Sequence, residues 1–387
     1  MARSMILLVS GQPMANLLAA LDPALEVTHA DLIVSGDMEV SGRAGHLADT
    51  LETRGITVAT HLVSDVFQPE ATRSMVTGLV KQQPERFIIN LTGGTKPMVL
   101  GAYRAALDWG VRDLLYLDHE QGLLRWLEGN RPPQPSCARL DTALILGAHG
   151  FRSAAGEMPT RTAIQLSHSL HEQLRGDTLR QWNQLFGKVE RQCRQDRDWT
   201  PRDVRLDRIF GTGTEDVAAS LDRPLREAAA LGFCHWSGNS VRVDRAADHQ
   251  LLQGGWFELV VHEALLAERA SLGIDEVSLN LKVRSADGAA NEFDCVARMG
   301  SRLIFFEVKT AQMKGTYGTA RPKEIFYKLS ALKDTAGLTG RACLVSIEPM
   351  APAMARRFAG AGLGLVQGEE ATPSRLRYAL ADWIRAG

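Results

Sequence analysis

The sequence predicts an α/β protein with two principal parts and a small helical segment between them. Three observations carry this prediction. A chain of 387 residues is too long for one ordinary hydrophobic core. The first 150 residues alternate short apolar runs with amphipathic helical stretches, which is typical of a parallel sheet covered by helices. The last third has a different order, namely helix, three strands, helix and strand, which predicts a second α/β sandwich.

The N-terminal part, residues 1–150, is predicted to be a Rossmann-like domain. Its strands are expected in the continuous apolar runs, and its helices in the periodic stretches between them. The runs are residues 5–9, 32–34, 56–63, 87–91 and 114–117, and the helical stretches are residues 14–21, 44–54, 70–83 and 96–109. Ligands of such sheets bind at the C-terminal ends of the strands.

The middle segment, residues 151–250, is mostly polar and helical. A helix over 221–232 and a hairpin over 233–243 resemble a small winged-helix unit, and a packing spacer explains them equally. The C-terminal part, residues 251–387, opens with a helix over 255–269. Apolar runs follow at 277–283, 292–298 and 302–308, then a helix over 322–333 and a strand over 342–347.

Composition is that of a globular protein, with 45% hydrophobic and 23% charged residues. The net charge of −1 does not identify a partner, because a local groove can be positive while the remainder offsets it. The five cysteines are scattered without a CxxC pair, which argues against a zinc ribbon or a disulfide framework and predicts a reducing, cytoplasmic environment. The apolar run at 5–9 is far too short to span a membrane, so no membrane association is expected.

Charged residues interrupt two neighbouring apolar runs of the C-terminal part. Asp294 lies on one predicted strand, and Glu307 and Lys309 lie on the next, after a turn near Gly300. Residues two apart on a strand face the same side, so Glu307 and Lys309 project together and the hairpin brings Asp294 opposite them. Burying three charges on a sheet is costly unless they pair or hold a metal ion.

This grouping suits phosphodiester hydrolysis. Asp294, Glu307 and the Val308 carbonyl would hold a hard divalent cation, Mg²⁺ or Mn²⁺, which polarises the phosphoryl oxygen and acidifies the attacking water. Lys309 would orient that water or offset charge in the transition state. Glu258, on the preceding helix, would add a third carboxylate to the same catalytic site.

A Glu-x-Lys pair alone is usually a surface ion pair, so the order of elements carries the argument. A helix bearing Glu258 precedes both strands, and a basic helix with Arg321, Lys323 and Lys328 follows them. This order resembles the PD-(D/E)xK nuclease superfamily over about residues 253–347, with Asp294 as its D and Glu307-Val308-Lys309 as its ExK. The resemblance implies a metal-dependent endonuclease.

A second informative stretch covers residues 87–98, where a buried strand ends in Thr92-Gly93-Gly94-Thr95-Lys96 and a helix begins. The glycines permit a sharp turn, and free N–H groups at the helix start would form an anion cradle with Thr92, Thr95 and Lys96. The spacing is neither that of a Walker A loop nor a GxGxxG fingerprint. A tight turn without a ligand is the alternative interpretation.

Together with Ser10-Gly11-Gln12 after the first strand, this loop resembles the CARF domains of type III CRISPR ancillary proteins. These domains bind cyclic oligoadenylates across a dimer interface. The stretch from Gly254 to Glu258 also resembles the CARF–nuclease fusions of that group, whose closer members would be expected to carry Cys where this chain has Val308. The resemblance implies a homodimer that binds cyclic tetra-adenylate through both copies of the loop and is thereby activated to cleave DNA or RNA in antiviral defence.

Two other functions remain open at this stage. One is a nucleotide-sensing transcription regulator that binds DNA through the middle segment, although Arg223 and Arg226 are offset there by Asp222 and Glu227. The other is a ring nuclease that degrades its own activator at Ser10 or Thr92. The sequence does not distinguish DNA from RNA, or single from double strands, as the polymer cleaved.

Overall fold

The computed structural model describes residues 3–118, 121–153, 155–195, 198–211, 214–311, 320–335 and 340–386. The strands are β1 (Arg3–Leu8), β2 (Val27–Val34), β3 (Thr57–Leu62), β4 (Phe87–Asn90), β5 (Asp113–Asp118), β6 (Leu123–Trp126), β7 (Gln134–Pro135), β8 (Phe151–Ser153), β9 (Arg194–Gln195), β10 (Asp198–Trp199), β11 (Val204–Arg205), β12 (His235–Trp236), β13 (Ser240–Arg242), β14 (Glu276–Ser285), β15 (Ala290–Met299), β16 (Arg302–Lys309), β17 (Arg341–Ser346) and β18 (Gly364–Gln367).

The α-helices are α1 (Met14–Ala20), α2 (Gly36–Val40), α3 (Arg43–Glu52), α4 (Pro69–Val80), α5 (Lys96–Trp109), α6 (Thr142–Ala148), α7 (Arg161–Gln173), α8 (Gly176–Cys193), α9 (Asp207–Phe210), α10 (Thr214–Ala230), α11 (Ala246–Gln250), α12 (Trp256–Ala267), α13 (Arg269–Leu272), α14 (Ala320–Thr335), α15 (Pro352–Gly360) and α16 (Leu376–Arg385). Single 3₁₀ turns lie at Pro23–Leu25, Pro84–Arg86 and Gly368–Ala371, and a π-helical turn at Leu251–Gly255 leads directly into α12.

The N-terminal domain is built on a sheet of order β3-β2-β1-β4-β5-β6-β7, in which β1 to β5 run parallel. Its central strands are buried on both sides, as their continuous apolar sequence predicts. Helices α1, α3 and α6 cover one face, and α4 and α5 cover the other. Because β1 lies beside β4, the chain reverses its direction of travel across the sheet between these strands, and the loops that follow them border one crevice.

The C-terminal domain is a sheet of order β18-β17-β16-β15-β14-β8. Strands β8, β14, β15 and β16 pair antiparallel, and β17 and β18 continue the sheet in parallel with β16. The predicted order of one helix, three strands, a helix and a strand is confirmed by α12, β14 to β16, α14 and β17. The sequence did not predict β18, α15 and α16, nor that β8, which lies more than a hundred residues upstream, completes this sheet.

The middle segment folds against the C-terminal domain rather than apart from it. Trp182 and Phe186 of α8 share a buried cluster with Trp256 and Phe257 of α12, and the Trp182 indole N–H donates to the carbonyl of Leu252 at 2.6 Å. The predicted hairpin is present as β12 and β13, with β11 as a third strand. On α10, Arg226 pairs with Asp222 at 2.6 Å and Arg223 lies 3.5 Å from Glu227, so the arginines of this helix are neutralised by its own acids.

Within the part of the chain that the structure describes, no helix combines the length and apolarity needed to cross a bilayer.

Candidate active site and phosphate-binding loop

Asp294 lies where the strand pairing of the C-terminal sheet is interrupted. The ladder between β14 and β15 is regular at Leu279↔Cys295 and again at Leu281↔Phe293, and it omits Asn280 and Asp294 between them. Asn280 has a φ of 49°, a left-handed conformation that is uncommon for a residue other than glycine. The Asp294 carboxylate accepts the backbone N–H of Val308 at 2.7 Å, which ties it to the catalytic candidates on β16.

Glu307 and Lys309 lie at the end of β16 and meet Asp294 there. The Lys309 ammonium is 3.1 Å from Asp294 Oδ2 and 2.8 Å from Glu307 Oε1. The structure therefore brings together the three charged residues that the sequence placed on one hairpin. The Glu307 carboxylate is only 6% exposed, so its surroundings rather than bulk water must balance its charge.

A second lysine reaches the same carboxylate from α14. The Lys328 ammonium lies 2.6 Å from Glu307 Oε2, on the side away from Lys309. The sequence indicated a basic helix after β16 without distinguishing Lys328 from its neighbours. The side chain of Arg321, which belonged to the same expectation, lies outside the described residues.

Glu258 approaches this group from α12. It lines one cleft together with Glu307 and Lys309, and the thiol of Cys295 donates to its backbone carbonyl at 3.4 Å. Burial, reinforced by the neighbouring Asp294 charge and opposed by Lys309, raises the pKa of the Glu258 carboxyl to about 8. The predicted third carboxylate thus lies in the same electrostatic environment as the other two.

The three carboxyl groups and two lysines do not balance one another. Burial raises the pKa of Asp294, with Lys309 opposing and Glu307 adding to the effect. At Glu307 burial acts in the same direction, but Lys309 and Lys328 outweigh it and hold the pKa below its usual value. The pKa of Lys309 is raised because Asp294 and Glu307 outweigh its burial. When Glu258 is also ionised, three carboxylates face two ammonium groups, and one positive charge is missing.

The donors suit a hard divalent cation, since all are carboxylate oxygens. Among the described residues, no three histidine, cysteine or acidic side chains are already grouped as a ready metal site. Both oxygens of Glu307 are engaged by lysines, and Asp294 accepts the N–H of Val308. A cation would take over contacts that Lys328 and Lys309 make here.

Two clefts meet at these side chains. One, of about 960 Å³, contains Asp294 and extends toward β14 and β8. The other, of about 720 Å³, contains Glu258 and is walled by α8 of the middle segment. From that wall the Asn183 amide donates to the carbonyl of Thr310 at 3.0 Å and so fixes the end of the strand carrying Lys309. Nothing in the sequence marked Asn183 as part of this centre.

The phosphate-binding candidates lie in the crevice between β1 and β4, where buried asparagines hold the two loops together. Asn90, at the end of β4, donates to the side chain of Asn16 at 3.1 Å, and Asn16 donates to the carbonyl of Leu8 at 2.9 Å. Asn90 also accepts the hydroxyl of Thr92 at 2.6 Å, while that hydroxyl accepts the N–H of Leu117 at 2.7 Å. The Thr92 side chain is therefore engaged in shaping the loop.

Gly93 and Gly94 pass so close to β1 that no other residue fits. A Cβ on Gly93 would lie 2.2 Å from the carbonyl oxygen of Leu8, and Gly94 has a φ of 77°. Their backbone N–H groups have no acceptor among the residues that the structure describes. Thr95 caps α5 by accepting the N–H of Met98 at 3.3 Å, and its hydroxyl donates to Val66 at 2.9 Å. These features leave backbone N–H groups at the start of α5 available to bind an anion, with the exposed Lys96 beside them.

The loop after β1 borders the same crevice. The Ser10 hydroxyl lies 3.4 Å from both the backbone N–H and the carbonyl of Gln12, so this loop forms a tight turn. A Cβ on Gly11 would lie 2.7 Å from a guanidinium nitrogen of Arg43, the first residue of α3. Arg43 has no acidic partner among the described residues, and the sequence analysis did not select it. A basic residue at the start of a helix that follows β2 is the sequence feature that would have indicated Arg43 as a phosphate-binding candidate.

Comparison with protein families assigns both parts of the chain. Residues 4–128 match the family described as Card1 CARF domain, and residues 245–387 match the family described as Card1-like, endonuclease domain. The chain therefore combines a Card1-type CARF domain with a Card1-like endonuclease domain. The matches confirm the predicted CARF domain and nuclease domain in their predicted order, and they leave the middle segment unassigned.

Solved structures share the fold of this CARF nuclease along its whole length. Protein VC1899 from Vibrio cholerae has a TM-score of 0.80 at 21% identity, covering 99% of this chain and 98% of that one. Can2 from Sulfobacillus thermosulfidooxidans, solved in complex with cyclic tetra-adenylate, has a TM-score of 0.72 at 19% identity, with 99% of each chain covered. No curated protein matches the sequence.

A third solved structure is a type III CRISPR defence DNA nuclease activated by cyclic oligoadenylate. It has a TM-score of 0.58 at 18% identity, and the match covers 98% of the CARF nuclease described here but only 52% of that longer chain.

The unbalanced charge at Glu258 predicts a pH-dependent stability for the metal-free CARF nuclease. The folded-state pKa of about 8 exceeds the ordinary value of 4.5, so the folded protein binds more protons than the unfolded chain between these values. Stability should therefore fall as the pH rises through this window. In EDTA, the melting temperature is expected to decrease from pH 6 to 8.5, and Glu258→Gln should flatten the decrease.

The exposed Glu370→Gln is the matched control and should leave the slope unchanged. Added Mn²⁺ should stabilise the wild-type protein more at pH 8.5 than at pH 6, because it replaces the missing positive charge. Parallel melting curves for the wild-type and Glu258→Gln proteins would contradict the assignment of Glu258 to this centre.

Proposed function

We propose that this chain is a nuclease that requires a divalent metal ion, cleaves DNA or RNA, and is activated by cyclic tetra-adenylate in type III CRISPR defence. The observation that carries the proposal is the presence, in one chain, of an anion-ready loop at the crevice of the CARF sheet and a carboxylate–lysine centre on the nuclease sheet. Two structures of the same fold are described as bound to, or activated by, this class of ligand.

In this proposal Asp294, Glu307, the Val308 carbonyl and Glu258 hold Mg²⁺ or Mn²⁺, which supplies a Lewis acid and an acidified water. Lys309 remains protonated between two carboxylates, so it places a fixed positive charge beside the reacting phosphate and orients the attacking water. Asn183 and Asn280 act at a distance. The first fixes the end of β16, and the second lies opposite Asp294 at the break in the pairing of β14 with β15.

The activator is proposed to bind over Ser10, Gly11 and Gln12 on one side and the loop from Thr92 to Lys96 on the other. The unbonded N–H groups of Gly93 and Gly94, with Lys96 and Arg43, supply the positive surface that phosphates require. Thr92 and Thr95 contribute by holding the loop, since their hydroxyls are already engaged. For the same reason the geometry does not favour Thr92 as the group that would degrade the activator.

A homodimer is proposed because large apolar side chains are exposed on the same side of the CARF domain as the two loops. Val40 is 91% exposed, Phe67 75% and Leu100 57%. They follow β2, β3 and β4 respectively, so all three lie at the edge of the sheet that carries the loops. A second copy would bury them and would place two loops around a ring with two-fold symmetry.

The experiment is a cleavage assay on single- and double-stranded DNA and RNA, with Mn²⁺, with and without cyclic tetra-adenylate, and with EDTA as the control. We expect cleavage only when metal and activator are both present. Lys96→Ala should require about tenfold more activator for half-maximal cleavage, the loss expected for one charge-assisted contact, while reaching the same maximal rate. Light scattering on the same samples should give the mass of a dimer.

Cleavage at the same rate without activator would overturn the proposed activation while leaving the nuclease assignment standing. Full cleavage in EDTA would overturn the metal requirement. An unchanged activator dependence in Lys96→Ala would remove that residue from the pocket.

A further inference from the structure

Two arginines face each other across the edge of the nuclease sheet. Arg152 of β8 and Arg284 of β14 are direct partners in the antiparallel pairing. Like charges directly opposite each other on neighbouring strands are destabilising, so an arginine pair in this position suggests a functional role rather than a structural one. Arg284 donates to the carbonyl of Gly288 at 2.9 Å, and neither guanidinium has an acidic partner among the described residues.

The nearby Lys282, unlike the two arginines, has acidic partners in the part of the chain that the structure describes. Lys282 lies two residues from Arg284 on the same face of β14, and it is paired with Glu157 at 3.2 Å and opposed across the sheet by Glu292. Among the described residues, Lys282 is ion-paired, whereas Asp49 and Glu52 share a second cleft with the two arginines without pairing with either. Two adjacent unpaired guanidinium groups form a surface for a polyanion.

The position of the pair relates it to catalysis. Both arginines line the 960 Å³ cleft that also contains Asp294, Glu307 and Lys309. Across the sheet, Arg152 on β8 lies three strand spacings from β16, about 14 Å, and Arg284 on β14 lies two, about 10 Å. These distances are too long for contact with the phosphodiester being cleaved, and they suit the backbone phosphates on one side of it.

We propose that Arg152 and Arg284 form a phosphate clamp that binds the nucleic-acid backbone beside the catalytic centre. This inference rests on the proposed nuclease function and adds a substrate-binding element to it. Arg152 belongs to neither matched family region, since β8 directly follows α6 in the connection between the domains. Helix α6 packs closely on α3, with a Cβ on Gly147 reaching within 3.2 Å of Thr50, so the clamp is attached to the CARF domain.

The test compares Arg152→Gln, Arg284→Gln and the double variant with wild type. Binding of fluorescent 20-nucleotide DNA and RNA is measured by anisotropy in EDTA, where no cleavage occurs, from 50 to 300 mM salt. Each single variant should bind about tenfold more weakly, and the slope of log affinity against log salt should fall by about 1 per arginine. Arg356→Gln, an exposed arginine on α15, is the matched control and should match wild type.

Cleavage kinetics and melting provide the second readout. With Mn²⁺ and activator, the variants should show a raised KM and a kcat within about twofold of wild type, because the clamp does not touch the reacting phosphate. Their melting temperatures should be equal to or above that of wild type, since like-charge repulsion is relieved.

Affinity and salt slope indistinguishable from Arg356→Gln would overturn the clamp. If the wild-type protein cleaves and the variants have the same KM, the clamp proposal is overturned and the proposed nuclease function stands. If the wild-type protein cleaves nothing under any condition, the proposed function fails, and the binding data still decide whether the arginines hold nucleic acid.

Discussion

Glu307→Ala should abolish nucleic-acid cleavage, with a loss on the order of 10³-fold or more. Glu307 is the carboxylate that both lysines of the centre contact, at 2.8 and 2.6 Å, and it is also a proposed ligand of the metal ion. Its removal leaves Lys309 and Lys328 without their shared acceptor and deprives the metal of a ligand. Initial rates on a labelled substrate, with saturating Mn²⁺ and activator, measure the loss.

Lys309→Ala should have a comparable effect for a different reason, since it removes the fixed positive charge between Asp294 and Glu307. Activator binding, measured by titration calorimetry, should stay at the wild-type level in both variants because the CARF loop lies on another sheet. Glu370→Ala and Lys323→Ala alter exposed residues of the same two types and should retain activity. Full activity of either Glu307→Ala or Lys309→Ala would refute the catalytic assignment.

Gly93→Ala should destabilise the N-terminal domain by about 1–3 kcal/mol and remove the response to activator. The added Cβ would lie 2.2 Å from the Leu8 carbonyl, a backbone atom at the end of β1 that cannot move without disturbing the sheet. The loop and β1 would be forced apart, which would separate the two halves of the proposed phosphate site. Thermal unfolding and activator titration measure the two effects.

Gly78→Ala is the matched control for this substitution. Gly78 lies on the exposed side of α4, and nothing lies within 4 Å of the position of an added Cβ. Alanine in a helix interior restricts the unfolded chain, so this variant should be as stable as wild type or slightly more stable. Equal stability and equal activator binding in Gly93→Ala and wild type would show that the loop tolerates displacement and that close packing on Leu8 is unimportant.

Much of the architecture could be read from local patterns. Continuous apolar runs predicted the parallel strands of the N-terminal sheet because a strand buried on both faces has no polar side. The two-residue period predicted that Glu307 and Lys309 project together, and the turn at Gly300 placed Asp294 on the partner strand. Resemblance to the two families then supplied the order of the domains, which the family matches confirm.

Other features depend on contacts between residues far apart in the chain, and no periodicity encodes those. The sequence could not distinguish Lys328 from the two other basic residues of its helix. The packing of α14 places the Lys328 ammonium against Glu307. Asn183 and Arg43 became candidates only because α8 and α3 lie against the two crevices. The sequence left the middle segment between a spacer and a winged helix, and the structure shows that it shares a buried cluster with the nuclease domain, in which Trp182 and Trp256 both lie.

The sequence by itself determined the residue types of the candidate catalytic centre and of the proposed phosphate loop, because each is carried by short local motifs. Only the tertiary structure decided the local backbone at Asp294, through the left-handed Asn280 beside it and the missing pair in the ladder. It also decided that Arg152 faces Arg284. These facts follow from strand register and from a single backbone dihedral, which are set by the packing of the whole sheet rather than by the residues nearby.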